Sequence, residues 1–283
     1  MSAPRYREYP LMPPLDRLVE CVWLLSSRVA DSVRCNDADD SAGTATPDVQ
    51  HIPPDGSVEL IVHVRDPFSQ IDGGVARGQP PAMVVGVWTR PIAIVAPRTF
   101  DTVGIRIRPG CASAFWAEPA ALFADTVTDA TAVWGREIAA LRDRIGETVD
   151  DHRRVAMLSA FLIRRLRRRD LAIARSIDRI VATRGQHSID AVARDAGIGH
   201  RRLERGFRTH VGVSPKMFSR IVRFQHVLRH SRPDTAGAWA DVAALCGYTD
   251  QSHLIRDFQQ FTGTTPHQLA TAEPELADYF RRR

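Results

Sequence analysis

The feature of this 283-residue sequence that most constrains its fold is an internal repeat in the C-terminal hundred residues. Six residue types, Ala, Gly, Leu, Phe, Gly and Pro, recur in the same order in two copies. The first copy comprises Ala193, Gly197, Leu203, Phe207, Gly212 and Pro215, and the second comprises Ala243, Gly247, Leu254, Phe258, Gly263 and Pro266. The Leu–Phe, Phe–Gly and Gly–Pro spacings are identical, and the second copy has one extra residue between its first Gly and its Leu. Two copies of one supersecondary unit are therefore expected.

Each repeated position has a physical role in a helix-turn-helix, in which two helices cross through a tight turn. The alanine is small enough for the two helices to touch, and the first glycine tolerates the positive φ of the turn. The leucine and phenylalanine share one face of the second helix, so they pack back onto the first. The second glycine ends that helix. Ser214-Pro215 and Thr265-Pro266 then begin a further helix. An ordinary helical bundle with coincidental Gly and Pro is the alternative, and the matched spacing disfavours it.

The residues opposite the buried face of each second helix are suited to reading DNA. Arginine can bind guanine or phosphate in a bidentate manner, and glutamine can bind adenine. The candidate DNA contacts are Arg201, Arg202, Glu204, Arg205 and Arg208 in the first motif and Gln251, Ser252 and Arg256 in the second. Glu204 would favour a cytosine amino group, or would instead pair with Arg201 or Arg208. Arg223, on a predicted connecting helix from Pro215 to His230, is the candidate phosphate contact.

The excess positive charge of the sequence is confined to the same region. Residues 175–283 contain 17 Lys and Arg against 11 Asp and Glu, whereas residues 1–174 contain 21 against 22. A basic domain beside a neutral one indicates an anionic partner, with nucleic acid ahead of membrane. A solvated basic face without a partner is the alternative.

The segment from about Arg175 to Ala270 resembles the DNA-binding domain of the AraC/XylS family of bacterial transcription regulators. The matching stretches are Ile189–Gly197, Leu203–Phe207, Asp241–Tyr248, Asp250–Phe258 and Gly263–Pro266. The resemblance implies an all-helical domain with two recognition helices in successive major grooves, joined by Pro215–His230. It also implies that Arg201, Glu204 and Arg205 are reading positions of the first motif, and Gln251, Ser252 and Arg256 those of the second. The sequence departs from the family pattern at Gly206, where a larger apolar residue is usual.

The sequence before this domain predicts short strands and then helices. Strands are expected over Leu18–Leu25, Ser57–Val64, Met83–Val87, Ile92–Val95 and Val103–Arg108, in a small sandwich or barrel. Helices are expected over Ala112–Ala124, Ala132–Ile145 and Asp151–Arg168, and a long loop over Arg28–Asp48. The expected fold class is therefore α+β with two domains, a β-rich one with trailing helices over residues 1–170 and an all-α one over residues 171–283.

Part of the N-terminal region resembles the β-rich companion domain of one AraC subgroup. The matching residues are Ile52–Leu60, Val85-Gly86, Thr89-Arg90 and Gly104–Gly110. The resemblance implies a domain that binds an effector or forms a dimer. Trp23 and Trp88 are the candidate residues of an effector pocket, and core packing is the alternative role for them.

The sequence gives little support for an enzyme active site, a metal site or a sensor thiol. No G-x-S-x-G, P-loop or H-E-x-x-H motif occurs. A metal set of His51, Asp55, Glu59 and His63 is conceivable, but surface and turn positions explain these residues better. Cys21, Cys35 and Cys111 would serve as redox or alkylation sensors only with lowered pKa values and exposure. An enzyme fused to a DNA-binding domain, such as a thiol-based DNA-repair methyltransferase, is the rival function. No enzyme activity, metal or cofactor is expected.

The sequence thus predicts a sequence-specific transcription regulator. Its expected partners are duplex DNA at a promoter or operator, RNA polymerase, a small-molecule effector and a second copy of the chain. A cytoplasmic location without membrane contact is expected, because the N-terminus lacks a signal peptide and no apolar run approaches 18 residues. The operator, the effector, the regulated genes and the choice between activation and repression stay open.

Overall fold

A computed structural model of the protein describes residues 4–27, 49–230, 239–266 and 268. The long loop predicted over Arg28–Asp48 falls outside the described residues, as does Cys35. The strands of the N-terminal part are β1 (Arg5–Tyr9), β2 (Val19–Ser26), β3 (Val49–Ile52), β4 (Val58–His63), β5 (Ser69–Asp72), β6 (Val75–Gly78), β7 (Ala82–Val85), β8 (Ile92–Val95), β9 (Asp101–Ile107) and β10 (Val127–Asp129). The five predicted strands correspond to β2, β4, β7, β8 and β9; β8 has the predicted ends, and the ends of the other four are shifted by one or two residues.

The strands form two antiparallel sheets. One has six strands in the order β1-β2-β9-β4-β7-β10, and the other has four in the order β3-β8-β5-β6. Successive side chains of β4 lie on opposite faces of the larger sheet. Val58, Leu60 and Val62 face the main apolar core, while Glu59 and Ile61 lie on the other face. That opposite face and the smaller sheet enclose a cavity.

The helices that follow the sheets differ from the prediction. The helix predicted over Ala112–Ala124 is wrong, because the chain there forms only two 3-10 turns, Ala112–Ala114 and Ala120–Leu122. Pro119, which has no N–H to donate, lies between them. The predicted helix over Ala132–Ile145 is interrupted at Gly135, whose φ is 58°. The helices are α1 (Thr131–Trp134), α2 (Arg136–Gly146) and α3 (Asp151–Ile163), so α3 ends before the predicted Arg168.

The C-terminal part is helical, as predicted. Its helices are α4 (Leu171–Ala182), α5 (Ile189–Asp195), α6 (His200–His210), α7 (Pro215–His230), α8 (Trp239–Leu245) and α9 (Gln251–Thr262). Side chains cap their first turns: Asp170 accepts hydrogen bonds from Ala172 N–H and Ile173 N–H, and Ser188 accepts one from Ala191 N–H. The expected α+β fold class with an all-helical C-terminal part is confirmed.

The two parts pack closely against each other. A single cluster of buried apolar side chains extends from the large sheet through to α9. The His210 ring nitrogen Nδ1 lies 2.8 Å from Ser113 Oγ, and Gln225 Nε2 donates to the Pro54 carbonyl at 2.6 Å. The N-terminal part therefore contacts both the end of α6 and the middle of α7. In the described residues no helix is both long and apolar enough to cross a membrane.

Candidate nucleic-acid interface

The first repeat folds as a helix-turn-helix made of α5 and α6. Gly197 occupies the turn with φ 67°, in the left-handed region that its missing Cβ permits. Leu203 and Phe207 are fully buried, and the Phe207 ring packs against Phe218 of α7 at 5.9 Å between centroids. The repeated positions therefore fix α6 by its apolar face and leave its other face outward.

The outward face of α6 is dominated by arginine. Four of its five predicted DNA contacts are exposed: Arg201, Arg202, Arg205 and Arg208. The fifth, Glu204, is half-buried. Arg202 lies 3.3 Å from the Asp170 carboxylate, which is also the cap of α4, so this arginine is held beside α4. Among the described residues Glu204 forms no ion pair with Arg201 or Arg208 within 4 Å, so its role at a base remains a prediction.

Gly206 makes close contact between α6 and α4 possible. A Cβ at this position would lie 2.2 Å from Cδ1 and 2.6 Å from Cγ1 of Ile173, a buried residue of α4. The departure from the family pattern at Gly206 is therefore explained by the large neighbour that occupies its space.

The second repeat repeats this arrangement with α8 and α9. Gly247 takes φ 73° in the turn, and the Asp250 carboxylate caps α9 by accepting from His253 N–H at 2.7 Å. Leu254 and Phe258 are buried, as their counterparts are in the first motif. The candidate reading residues Gln251, Ser252 and Arg256 are all exposed.

Helix α7 connects the two motifs and is fixed to both. Its Phe224 packs against Phe258 of α9 with 5.5 Å between ring centroids. Arg220 of α7 donates from Nε and Nη2 to Asp257 Oδ1 at 3.0 and 2.7 Å, and the Asp257 side chain is only 2% exposed. Charge-assisted hydrogen bonds of this kind hold a fixed geometry. This pair was not predicted from the sequence, although an acid directly before a buried phenylalanine was the available signal.

Known proteins share this C-terminal architecture. Residues 192–272 match a family described as a helix-turn-helix domain. Over 83 residues the chain is 29% identical to the HTH-type transcriptional activator RhaS of Escherichia coli. Over this C-terminal segment the chain is thus similar to transcription regulators of the AraC/XylS type. The alignment covers 28% of this chain and 28% of the length of RhaS.

Two solved structures are also similar to this protein. A probable AraC family transcriptional regulator from Rhodopseudomonas palustris is 26% identical, covers 36% of this chain and 98% of its own, and has a TM-score of 0.32. ToxT from Vibrio cholerae is 10% identical, covers 79% of this chain and 97% of its own, and has a TM-score of 0.46. Residues 7–129 match a family described as a domain of unknown function, DUF6597.

Arg223 is placed differently from the other candidate contacts of the C-terminal domain. It is half-buried on α7, and its Nη2 donates to the Gly185 carbonyl at 2.8 Å. Its guanidinium carbon lies 5.1 Å from the centre of the Tyr248 ring, close enough for a cation–π contact. These contacts join α7 to the loop before α5 and to the second motif, so Arg223 has a structural role whether or not it also contacts phosphate.

Trp23 and Trp88 border one cavity of about 120 Å³ between the two sheets. The Trp23 indole packs against Gly104, where an added Cβ would lie 2.0 Å from the ring, and its Nε1 donates to Glu59 at 3.3 Å. The Trp88 Nε1 is buried and has no hydrogen-bond partner in the part of the chain that the structure describes. The cavity therefore has largely apolar walls, and one of the indoles that line it carries a buried N–H without a partner among the described residues.

Several polar residues near this cavity form hydrogen bonds with one another. Glu59 accepts from Arg106 Nε at 3.0 Å, and Arg106 is 3% exposed. His63 is buried, with ring nitrogens 3.0 Å from Thr102 Oγ1 and 3.1 Å from Gln79 Oε1, and burial lowers its pKa to about 4. The expectation that His63 is a surface or turn residue is wrong. The set with His51 and Asp55 is not among the groups of the described residues close enough to hold an ion.

The two described cysteines of the N-terminal part do not have the properties of sensor thiols. Cys21 and Cys111 are buried, and burial raises the pKa of both thiols. Reactive thiols need the opposite shift together with access to solvent.

Proposed function

We propose that this protein is a non-enzymatic, sequence-specific DNA-binding transcription regulator of the AraC/XylS type. The observation that carries the proposal is the matched pair of recognition helices. In α6 and α9 the same apolar positions are buried, while the predicted reading residues, all but the half-buried Glu204, are exposed. Both helices are anchored to one connecting helix, α7, so that their outward faces are held together in a single unit.

The length of α7 supports contact with two successive major grooves. Its 16 residues span about 24 Å at about 1.5 Å per residue. Successive major grooves on one face of DNA are about 34 Å apart, and the flanking motifs extend the reach beyond the helix itself. Because the repeat runs head to tail, the two boxes should be arranged in direct order. The alternative is that only α6 reads bases and the second motif is a scaffold.

A selection experiment tests the proposal. The full-length protein is used to enrich duplexes from a random pool, and binding to the enriched site is measured by mobility shift. A variant with Arg201→Gln, Arg205→Gln and Arg256→Gln should lose binding to this site. The matched control, Arg136→Gln, Arg144→Gln and Arg153→Gln, removes the same charge from exposed positions on α2 and α3 and should bind as the wild type does. Failure to enrich any site, or equal loss in both variants, would refute the proposal.

We also propose that the cavity between the sheets binds a small, largely apolar effector with one hydrogen-bond acceptor. A cavity of about 150 Å³ is large enough for benzene, so a volume of about 120 Å³ limits the ligand to about that size. The buried Trp88 N–H, without a partner among the described residues, would donate to the acceptor.

A loop connects this cavity to the connecting helix. Pro53, Pro54 and Asp55 border the cavity, and the Pro54 carbonyl accepts from Gln225 of α7. At the adjacent Gly56 an added Cβ would lie 3.1 Å from Phe218 of α7. A ligand that moves this loop would therefore act directly on the helix that sets the spacing of the two motifs.

Phenol and benzene are suitable probes of the cavity, because they differ by one oxygen. Phenol should raise the thermal midpoint of the protein more than benzene does, and Trp88→Phe should remove that difference while leaving benzene binding in place. Absence of any effect of either compound, or a phenol preference that persists in Trp88→Phe, would refute the assignment of Trp88.

A cytoplasmic location, interaction with RNA polymerase and self-association belong to the same proposal. A regulator of this type acts on promoter DNA, where polymerase binds. Self-association is the simplest to measure: light scattering on the purified protein should give twice the chain mass if a homodimer forms. A monomer mass at micromolar concentration would remove the dimer from the proposal.

A further inference from the structure

The fold brings together two histidines and a cysteine that are distant in the sequence. His226 and His230 lie in the last turns of α7, and Cys246 directly precedes the turn glycine of the second helix-turn-helix. One ligand atom from each lies within 4.8 Å of the other two. The histidines and cysteines do not cluster along the sequence, so no metal was expected. The cluster forms only when α7 packs against α8.

The three side chains differ in burial and in the hydrogen bonds of their ligand atoms. The His230 Nδ1 lies 2.8 Å from the His226 carbonyl oxygen, which can only accept, so Nδ1 carries the proton and Nε2 keeps its lone pair. Metal-binding histidines are oriented in this way. His226 is 5% exposed, and its Nδ1 is buried without a hydrogen-bond partner among the described residues. Cys246 is fully buried.

We propose that His226, His230 and Cys246 form a binding site for a borderline-soft divalent ion of the Zn²⁺ class, the His₂Cys site. Zn²⁺ binds nitrogen at about 2.0–2.1 Å and thiolate sulfur at about 2.3 Å in a tetrahedron, which places ligand atoms roughly 3.5 Å apart. Separations of up to 4.8 Å therefore close by side-chain rotation. Imidazole and thiolate together select Zn²⁺ and its neighbours over Mg²⁺ or Ca²⁺.

The site is accessible from a space between the two parts of the protein. His226 and His230 line a cavity of about 540 Å³ that also borders Asp55 and Arg106 of the N-terminal part. His230 is exposed, so an ion and a fourth ligand such as water can reach the site from this side. On binding, the Cys246 thiol loses its proton to the solvent, and the sulfur forms the bond to the metal as a thiolate.

Arg184 competes with the ion for His226. Its Nη1 lies 3.0 Å from His226 Nε2, and the guanidinium, which can only donate, requires the lone pair on Nε2. If the metal binds Nε2, Arg184 must leave. If the metal binds Nδ1, the ring proton moves to Nε2, and the contact with Arg184 is lost as well. Arg184 is exposed and can move into solvent. Removing this arginine should therefore tighten metal binding whichever nitrogen is the ligand.

The site would link α7 to the second helix-turn-helix through metal–ligand bonds. Occupancy should therefore stabilise the docking of the second motif on the connecting helix. This inference concerns metal binding by the free protein, so its test is independent of whether the protein binds DNA.

Titration of the reduced, full-length protein with Co²⁺ tests the inference. We expect one equivalent of Co²⁺ to produce a thiolate-to-cobalt charge-transfer absorption that Zn²⁺ abolishes. His230→Ala, an exposed position, should weaken Co²⁺ binding at least about tenfold, because even outer-shell partners of a metal contribute about 10–100-fold. Cys246→Ala should remove the charge-transfer band. Arg184→Asn should strengthen binding, and asparagine tolerates the φ of 54° found at this position.

His187→Ala is the matched control, because His187 is exposed on the same domain outside the cluster. It should leave the titration unchanged, and circular dichroism should show that each variant is folded. Three outcomes would overturn the proposal: no thiolate band at stoichiometric Co²⁺, a band that persists in Cys246→Ala, or unchanged affinity in His230→Ala. The last result decides the matter even if the buried Cys246→Ala variant is unstable.

Discussion

At the scale of single residues, the polar side chains of the C-terminal domain divide into two groups. Gln251 and Arg256 are exposed on α9 and available to a base. Arg220 and Arg223 are already bonded inside the domain, to Asp257 and to the Gly185 carbonyl respectively. The sequence shows the same residue type in both groups, and only the packing distinguishes them. Specificity and stability should accordingly respond to different substitutions.

Gln251→Ala and Arg256→Ala should relax the base preference of one box and leave the fold intact. A good bidentate contact contributes about 1–3 kcal/mol of discrimination, or about 5- to 150-fold. Random-site selection with each variant measures the change. Gln259→Ala, exposed on the same helix, is the control and should select the wild-type site. Unchanged preference in both Gln251→Ala and Arg256→Ala would show that these residues do not read bases.

Arg223→Ala should lower the free energy of unfolding by about 1–3 kcal/mol, because it removes a hydrogen bond to a backbone carbonyl and leaves that carbonyl unpaired. Urea unfolding measures the change, and the exposed Arg229→Ala is the control. If Arg223→Ala is as stable as the control but binds all DNA sequences more weakly, the phosphate contact predicted from the sequence is its main role.

At the scale of elements, the repeat predicted the C-terminal helices well, and α7 was predicted with its observed ends, Pro215 and His230. Glycine, proline and capping residues act locally, so the sequence alone reveals them. The segment Ala112–Ala124 was mispredicted because apolar periodicity does not show that its backbone forms short turns against α6 instead of a helix. The His₂Cys site and the Arg220–Asp257 pair depend on contacts between helices, which spacing along the chain does not reveal.

Gly206→Ala should destabilise the first motif, although alanine is more favourable than glycine inside a helix by about 1 kcal/mol. The new methyl group would collide with Ile173, and overpacking of a core costs about 1–3 kcal/mol. Ile173→Ala removes both colliding atoms, Cδ1 and Cγ1, so the double variant should be more stable than the sum of the two single changes predicts. A double-mutant cycle in urea measures this coupling. Strict additivity would mean that α4 and α6 adjust without strain.

At the scale of the whole molecule, the two parts share one apolar core, so acid should unfold them together. Burial lowers the pKa of His63 to about 4 from an ordinary value of 6.5. Between these values the unfolded chain binds a proton that the folded protein does not, so stability is complete above about pH 6.5 and falls as the pH approaches 4. When the pH is lowered from 7 to 4.5, the free energy of unfolding of His63→Gln should fall by about 2–3 kcal/mol less than that of the wild type. Equal losses would contradict the neutral state of His63.

The central claim is that one chain places α6 and α9 in successive major grooves on the same face of DNA. Its most direct test is the affinity for the selected site with five base pairs inserted between the two boxes, which turns one box to the opposite face. Helix α7 is fixed to both motifs by Phe218 and by the Arg220–Asp257 pair, so the protein cannot follow that rotation. We predict that five inserted base pairs reduce affinity to that of a single box, with the footprint confined to that box. Unchanged affinity and protection of both boxes would contradict the claim.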